Sequence, residues 1–137
     1  MSQKITIVNP NGSQYQLQIN PDGSLAATSA KAYPASQANV FDTGVAANTN
    51  FLTTAITPNN TPCALRIYVC LSASGVFSVQ RTKSSTTVAE MLNGGVPLVA
   101  NIGYTFDVPV DASETINFQT SIAATILKLN VVEKDLI

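Results

Sequence analysis

From Ala64 to Leu71 the chain alternates without a lapse: Leu65, Ile67, Val69 and Leu71 take every second place, and Ala64, Arg66, Tyr68 and Cys70 stand between them. A strand sends successive side chains to opposite faces, so this run is predicted to be a β-strand with one buried side. Five further runs of the same kind follow at Gly75–Arg81, Thr86–Leu92, Tyr104–Val110, Thr115–Phe118 and Ile122–Val132, most of them closed by turn residues. No amphipathic helix of useful length separates them, which excludes an α/β arrangement and predicts an all-β antiparallel β-sandwich or jelly roll. The expected core is Leu65, Ile67, Val69, Leu71, Phe77, Val79, Tyr104, Phe106, Val108, Ile116, Phe118, Leu127 and Leu129. Thr87-x-x-Glu90 has the form of a helix capping box, but β-branched Thr86, Thr87 and Val88 favour a strand there. Ser74-Gly75 is predicted to turn the first strand into Val76–Arg81, Asn93-Gly94-Gly95 to be a hairpin turn, and the stretch between Val108 and Thr115 a hairpin end.

The amino-terminal segment carries a short repeat. Val8-Asn-Pro-Asn-Gly-Ser13 and Ile19-Asn-Pro-Asp-Gly-Ser24 match almost residue for residue. Pro presets the backbone of a turn, and Asn-Gly or Asp-Gly tolerates positive φ. The flanks alternate, with Ile5 and Ile7, then Tyr15, Leu17 and Ile19 set against Gln14, Gln16 and Gln18. A small β-meander over 1–28 is expected, with strands near 4–8, 14–19 and 24–28. So small a meander must be covered by something, which makes Ile5, Ile7, Tyr15, Leu17 and Ile19 the candidate interface residues. The cover is either the rest of the chain or another molecule, the meander then serving as an attachment arm. The Ala-rich, Pro-interrupted residues 29–38 read as a linker, followed by the sandwich domain over 39–137.

Charge limits the partners. Seven basic and eight acidic residues leave a net charge of −1, which offers no footprint for a phosphate backbone and argues against nucleic acid. Charged residues make up 11% of the chain, well below the roughly 25% usual for soluble domains. Ser, Thr, Asn and Gln fill the difference with 46 of 137 residues, a neutral surface able to pack against copies of itself. No apolar run is long enough for a membrane span, and Met1-Ser-Gln-Lys-Ile-Thr-Ile-Val lacks the form of a secretory leader. Synthesis in the cytoplasm and no membrane partner are expected. Asn11-Gly-Ser13 and Asn59-Asn-Thr61 are therefore glycosylation sequons in form only.

Catalytic constellations are scarce. The chain contains no His, so Ser-His-Asp and Cys-His relays and His-based zinc sites are excluded. Asp42-Thr43-Gly44, after Val40-Phe41, is the motif with catalytic meaning: two such Asp residues in a homodimer would share a proton, as in aspartic proteases. Val45 stands where a small residue is expected after the Gly, and Ala46-Ala-Asn-Thr-Asn50 is not the usual hydrophobic continuation. Asp107, Asp111 and Glu114 could meet at one strand connection as a carboxylate pair or calcium site, although a solvated turn accounts for them more simply. Cys63 and Cys70, seven steps apart on one strand, would lie roughly 23 Å from each other and on opposite faces, so both are expected as free thiols. Trp is absent and the four Tyr are scattered, which gives no stacking platform for sugars or bases. No catalytic residue, metal or cofactor is expected.

A resemblance adds to this reading. The succession Leu71-Ser-Ala-Ser-Gly-Val-Phe-Ser-Val-Gln-Arg-Thr82, Leu92-Asn-Gly-Gly95, Ala100-Asn101, Tyr104-Thr-Phe-Asp-Val-Pro-Val110 and Ile116-Asn-Phe118 resembles β-sandwich accessory proteins of tailed phages and prophages. It covers mainly residues 64–132, and its motifs are strand and turn patterns. The amino-terminal Asn-Pro-[Asn/Asp]-Gly-Ser units are similar to strand-and-turn segments of phage fibre and head proteins. The resemblance implies a non-enzymatic virion structural protein, a capsid decoration or a head-fibre or tail-associated accessory. It implies self-association, with a homotrimer as the preferred state, and contact with the major capsid or another virion protein. A carbohydrate- or receptor-binding module of a fibre is the alternative, and a homodimeric aspartic protease using Asp42 the third reading.

Overall fold

The computed structural model describes residues 3–8, 14–19, 37–59 and 61–134. The chain divides into two units, Met1–Ala32 and Tyr33–Ile137. In the first, β1 (Gln3–Val8) and β2 (Gln14–Ile19) pair antiparallel, with Ile5 opposite Leu17 and Ile7 opposite Tyr15. Positions 5, 7, 15, 17 and 19 thus share one face of the two-stranded ribbon. The third strand expected near 24–28 falls outside the described residues, as does most of the linker.

The second unit is built from β3 (Ala38–Val45), β4 (Cys63–Leu71), β5 (Phe77–Lys83), β6 (Thr86–Met91), β7 (Gly103–Val110), β8 (Thr115–Thr120) and β9 (Ala124–Lys134). They form two antiparallel sheets, one ordered β3-β9-β4-β7 and the other β6-β5-β8. The all-β fold expected from the alternating runs is present. The sheet begins slightly before the predicted boundary at residue 39, because Ala38 opens β3 and the Gln37 backbone N–H donates to the Val131 carbonyl.

Strand β4 lies inside its sheet between β9 and β7, with Leu65, Ile67, Val69 and Leu71 fully buried. Full burial of such side chains contributes about 1.5–3 kcal/mol apiece, and a slip of one residue would turn all four to the outside. That pins the strand's phase. Phe77 and Val79 of β5 and Ile116 and Phe118 of β8 supply the second sheet's share of the core. Phe77 sits at its centre, with ring centroids 5.6 Å from Phe118, 5.8 Å from Phe51 and 6.0 Å from Phe106.

The structure corrects the expected core in two places. Tyr104 and Phe106 pack against the core but remain partly exposed. Leu127 is also only half-buried, while Ile126, Leu129 and Val131 are enclosed. The cause is a β-bulge: Cys70 pairs with Lys128 and Leu71 with Ile126, which leaves Leu127 as the extra residue of β9. A bulge resets the inward alternation.

Three connections also differ from expectation. Residues 72–76 pass from β4 in one sheet to β5 in the other, and residues 111–114 cross likewise from β7 to β8. Neither is a hairpin. Asn93, Gly94 and Gly95 form a 3-10 turn with φ of 57°, 64° and 77°. Such successive positive φ values suit Asn and Gly, and the turn leads into a long connection to β7. The tight hairpin is Lys83–Thr86, where Ser84 and Ser85 have φ of 50° and 66°.

Candidate functional site

The carboxylates flagged in the sequence do not come together as one site: Asp107 and Glu114 are held in separate ion pairs, and Asp42 and Asp111 are exposed. Asp42 lies inside edge strand β3 with φ of 49°, exposed, opposite the bulged Leu127. It is not on a turn after a strand, the placement a proton-sharing pair needs. Asp107 accepts a two-pronged hydrogen bond from Arg66, 3.0 and 3.1 Å, and Lys134 approaches at 3.6 Å. The hydrogen bonds from the Arg66 guanidinium hold the Asp107 carboxyl below its ordinary value, against the opposing effect of burial, with Lys134 adding to it. Asp111 is exposed, and its backbone N–H donates to Glu114 at 3.4 Å. Among the described residues, Asp107, Asp111 and Glu114 do not gather into a group able to hold a metal ion.

Glu114 belongs to a different assembly that the sequence did not announce. Its side chain is 8% exposed and paired with Arg81 of β5. Arg81 also bonds Glu90 of β6 at 2.8 Å and the Pro109 carbonyl of β7 at 2.8 Å. One guanidinium therefore ties β5 to β6, to the corner before β8 and, across the sandwich, to β7. Burial works against its charge, but the hydrogen bonds it donates to Glu114 and Glu90, with the attraction of those two carboxylates, outweigh that and hold it more firmly protonated than usual. A second buried carboxylate, Glu133, accepts from Gln37 Nε2 at 3.0 Å and from the Asn59 backbone N–H at 3.3 Å.

Cys63 opens β4 facing the core and Cys70 near its far end is partly exposed, and neither is in a disulfide. Tyr104 Oη accepts from the Val99 backbone N–H at 3.0 Å and so braces the long connection. Tyr68 lies on the outer face of its sheet over Gly103, where a Cβ would collide with its ring. Of the candidate interface residues, Ile5, Ile7, Tyr15, Leu17 and Ile19 sit on the β1–β2 ribbon in the register given above.

The surface features that stand out were not foreseen. Val96, Val99 and Ile102 lie on the 92–102 connection and are 59%, 56% and 50% exposed. Leu98 between them is buried and pairs with Gly75, and a Cβ on Gly75 would lie 3.4 Å from Cβ of Ile122, itself 48% exposed. Four β-branched apolar side chains thus project from adjoining loops. Turn chemistry at Asn93-Gly94-Gly95 pointed only to a hairpin turn, and only burial distinguishes Leu98 from its neighbours. On the outer face of the β6-β5-β8 sheet, a cleft of about 350 Å³ is lined by Asn48, Ser78, Gln80, Ala89, Met91 and Gln119, with Val76 and Ser121. Gln80 Nε2 donates to Ser78 Oγ at 2.9 Å, and Gln119 Nε2 to Asn50 Oδ1 at 2.8 Å. Its lining is uncharged and carries no aromatic ring.

No protein-family model, curated protein or solved structure matches this chain.

Proposed function

We propose that this chain is a non-enzymatic structural protein of a tailed-phage virion, a capsid decoration or a head-fibre or tail-associated accessory, acting through protein–protein contacts. The observation that carries the contact-making part is the set of exposed apolar side chains Val96, Val99, Ile102 and Ile122 on adjoining loops. Exposed apolar side chains on adjoining loops fit an interaction site, because covering them removes area from water. The rigid sandwich beneath them and the low surface charge suit a subunit that packs against neighbours. The phage setting rests on the resemblance of residues 64–132, which also supplies the trimeric preference and the major capsid protein as partner. Localisation is then the virion, after synthesis in the host cytoplasm.

The test is co-sedimentation with the phage particle whose genome carries the sequence. Wild-type protein is expected to pellet with particles, and the Val99→Asp/Ile102→Asp double variant to stay in the supernatant while keeping its β-sheet circular dichroism. Equal pelleting of both would remove the loop surface from the contact. The uncharged cleft on the β6-β5-β8 sheet favours a second reading, a carbohydrate- or receptor-binding module: its amides and hydroxyls could bond the hydroxyls of a neutral sugar. Saturable glycan-array binding that is lost in Gln80→Ala would support it, and a blank array would end it.

A further inference from the structure

Sheet edges are templates for a further strand, and soluble proteins normally block them. Three of the four edges of this sandwich are managed. Edge strand β3 is broken by Asp42 with its positive φ, and β7 carries Pro109 and the charged Asp107. The edge of β8 is covered by residues 48–56: Asn48, Phe51 and Ile56 donate backbone N–H groups to Thr120, Phe118 and Ile116, and the Asn117 amide clamps Leu52 in both directions. The fourth edge, β6, reads Thr86-Thr-Val-Ala-Glu-Met91, and all six residues are exposed. It has no Pro, no bulge against β5 and no positive φ. Its sole charge, Glu90, is already held by Arg81.

Hairpin geometry tells which backbone groups are unpaired. The two-residue turn at Ser84-Ser85 makes Lys83 and Thr86 the closing hydrogen-bonded pair, and such pairs recur at every second residue. Thr86, Val88 and Glu90 therefore bond β5, and the same phase continues to the Leu92 N–H, which donates to Phe77 at 2.9 Å. The N–H and C=O groups of Thr87, Ala89 and Met91 point away from the sheet. Among the described residues none hydrogen-bonds to them.

We propose that β6 pairs antiparallel with β6 of a second copy about a twofold axis at Ala89, joining two three-stranded sheets into one. In that register Ala89 meets Ala89 of the second copy, Thr87 meets Met91, and each of these residues exchanges both outward backbone hydrogen bonds. Val88 comes opposite Glu90, so no like charges oppose each other, and the smallest side chain sits on the axis. Ala89 and Met91 also rim the cleft described above, so pairing would run the two clefts together. An isologous contact joins copies in twos. It stands independently of the virion reading and acts beside any threefold contact.

The experiment is light scattering coupled to gel filtration on the full chain over a range of concentrations. Wild type is expected to rise to an even multiple of its 14.4 kDa chain mass. Ala89→Pro removes only an outward N–H, so it should halve that mass with circular dichroism preserved. Ala89→Glu should do the same by setting two carboxylates on the axis, and mixing it with Ala89→Lys should restore the even mass. The mixing experiment reads the register directly and does not depend on the proline variant folding. A wild-type mass of one or three chains at high micromolar concentration overturns the proposal. So does an even mass that survives Ala89→Glu, or a Glu/Lys mixture that fails to reassociate.

Discussion

Phe77→Ala tests how the two sheets are held together. The side chain is fully buried, and its ring approaches those of Phe51, Phe106 and Phe118, with centroids 5.6 to 6.0 Å away. Truncating a buried Phe to Ala costs about 3–5 kcal/mol through lost transfer energy and the cavity left behind. Aromatic pairs contribute about 0.5–1.5 kcal/mol each beyond area, and three are lost here, so the upper half of that range is expected. The neighbouring loops cannot collapse easily into the space, because Phe51 is held by its N–H bond to the Phe118 carbonyl and Leu52 by the Asn117 amide. Phe106→Ala is the control: its ring touches the same cluster but is partly exposed, so about half that cost is expected. Urea unfolding followed by circular dichroism gives both values, provided the slopes with denaturant agree with wild type. A Phe77→Ala loss below about 1 kcal/mol, or one no larger than that of Phe106→Ala, would mean that the sheets do not meet at Phe77.

Arg81→Met should destabilise by about 3 kcal/mol, since it strands the buried Glu114 carboxylate; the same urea titration checks this, and a loss under about 1 kcal/mol would show the pair to be dispensable. Thr120 Oγ1 is buried and has no hydrogen-bond partner among the described residues, so Thr120→Val is expected to stabilise by about 1 kcal/mol, and a lower midpoint in thermal melts would refute that. Thiol titration should find one reactive group, Cys70, in native protein and two after unfolding, because Cys63 is 1% exposed; equal native reactivity would contradict the inward placement of Cys63.

What the sequence disclosed was local. The period of two in Leu65, Ile67, Val69 and Leu71 gave β4 its inner face because a strand buried on one side leaves no other reading. The pairing of strands was not disclosed: Ser74-Gly75 and Asp111–Glu114 look like hairpin turns, yet both lead from one sheet to the other. Gly75 is needed there for closeness, since a Cβ would lie 2.6 Å from Thr120 Oγ1. The Ser84-Ser85 hairpin carries no Gly or Asn to mark its positive φ, and the bulge at Leu127 arises from pairing with β4, which no periodicity within β9 can display. Of the surface features, Val96, Val99 and Ile102 become notable only once Leu98 is seen to take the buried place between them. The open edge of β6 becomes notable only when the other edges are seen to be blocked.

The virion role is tested most directly by electron microscopy of particles carrying this protein fused to a small density tag. Tags are expected at regular, symmetry-related positions on the head or at one defined place on the tail, and to vanish from particles made with Val99→Asp/Ile102→Asp. Particles that assemble with no tag anywhere, while the tagged protein accumulates free in the lysate, would contradict it.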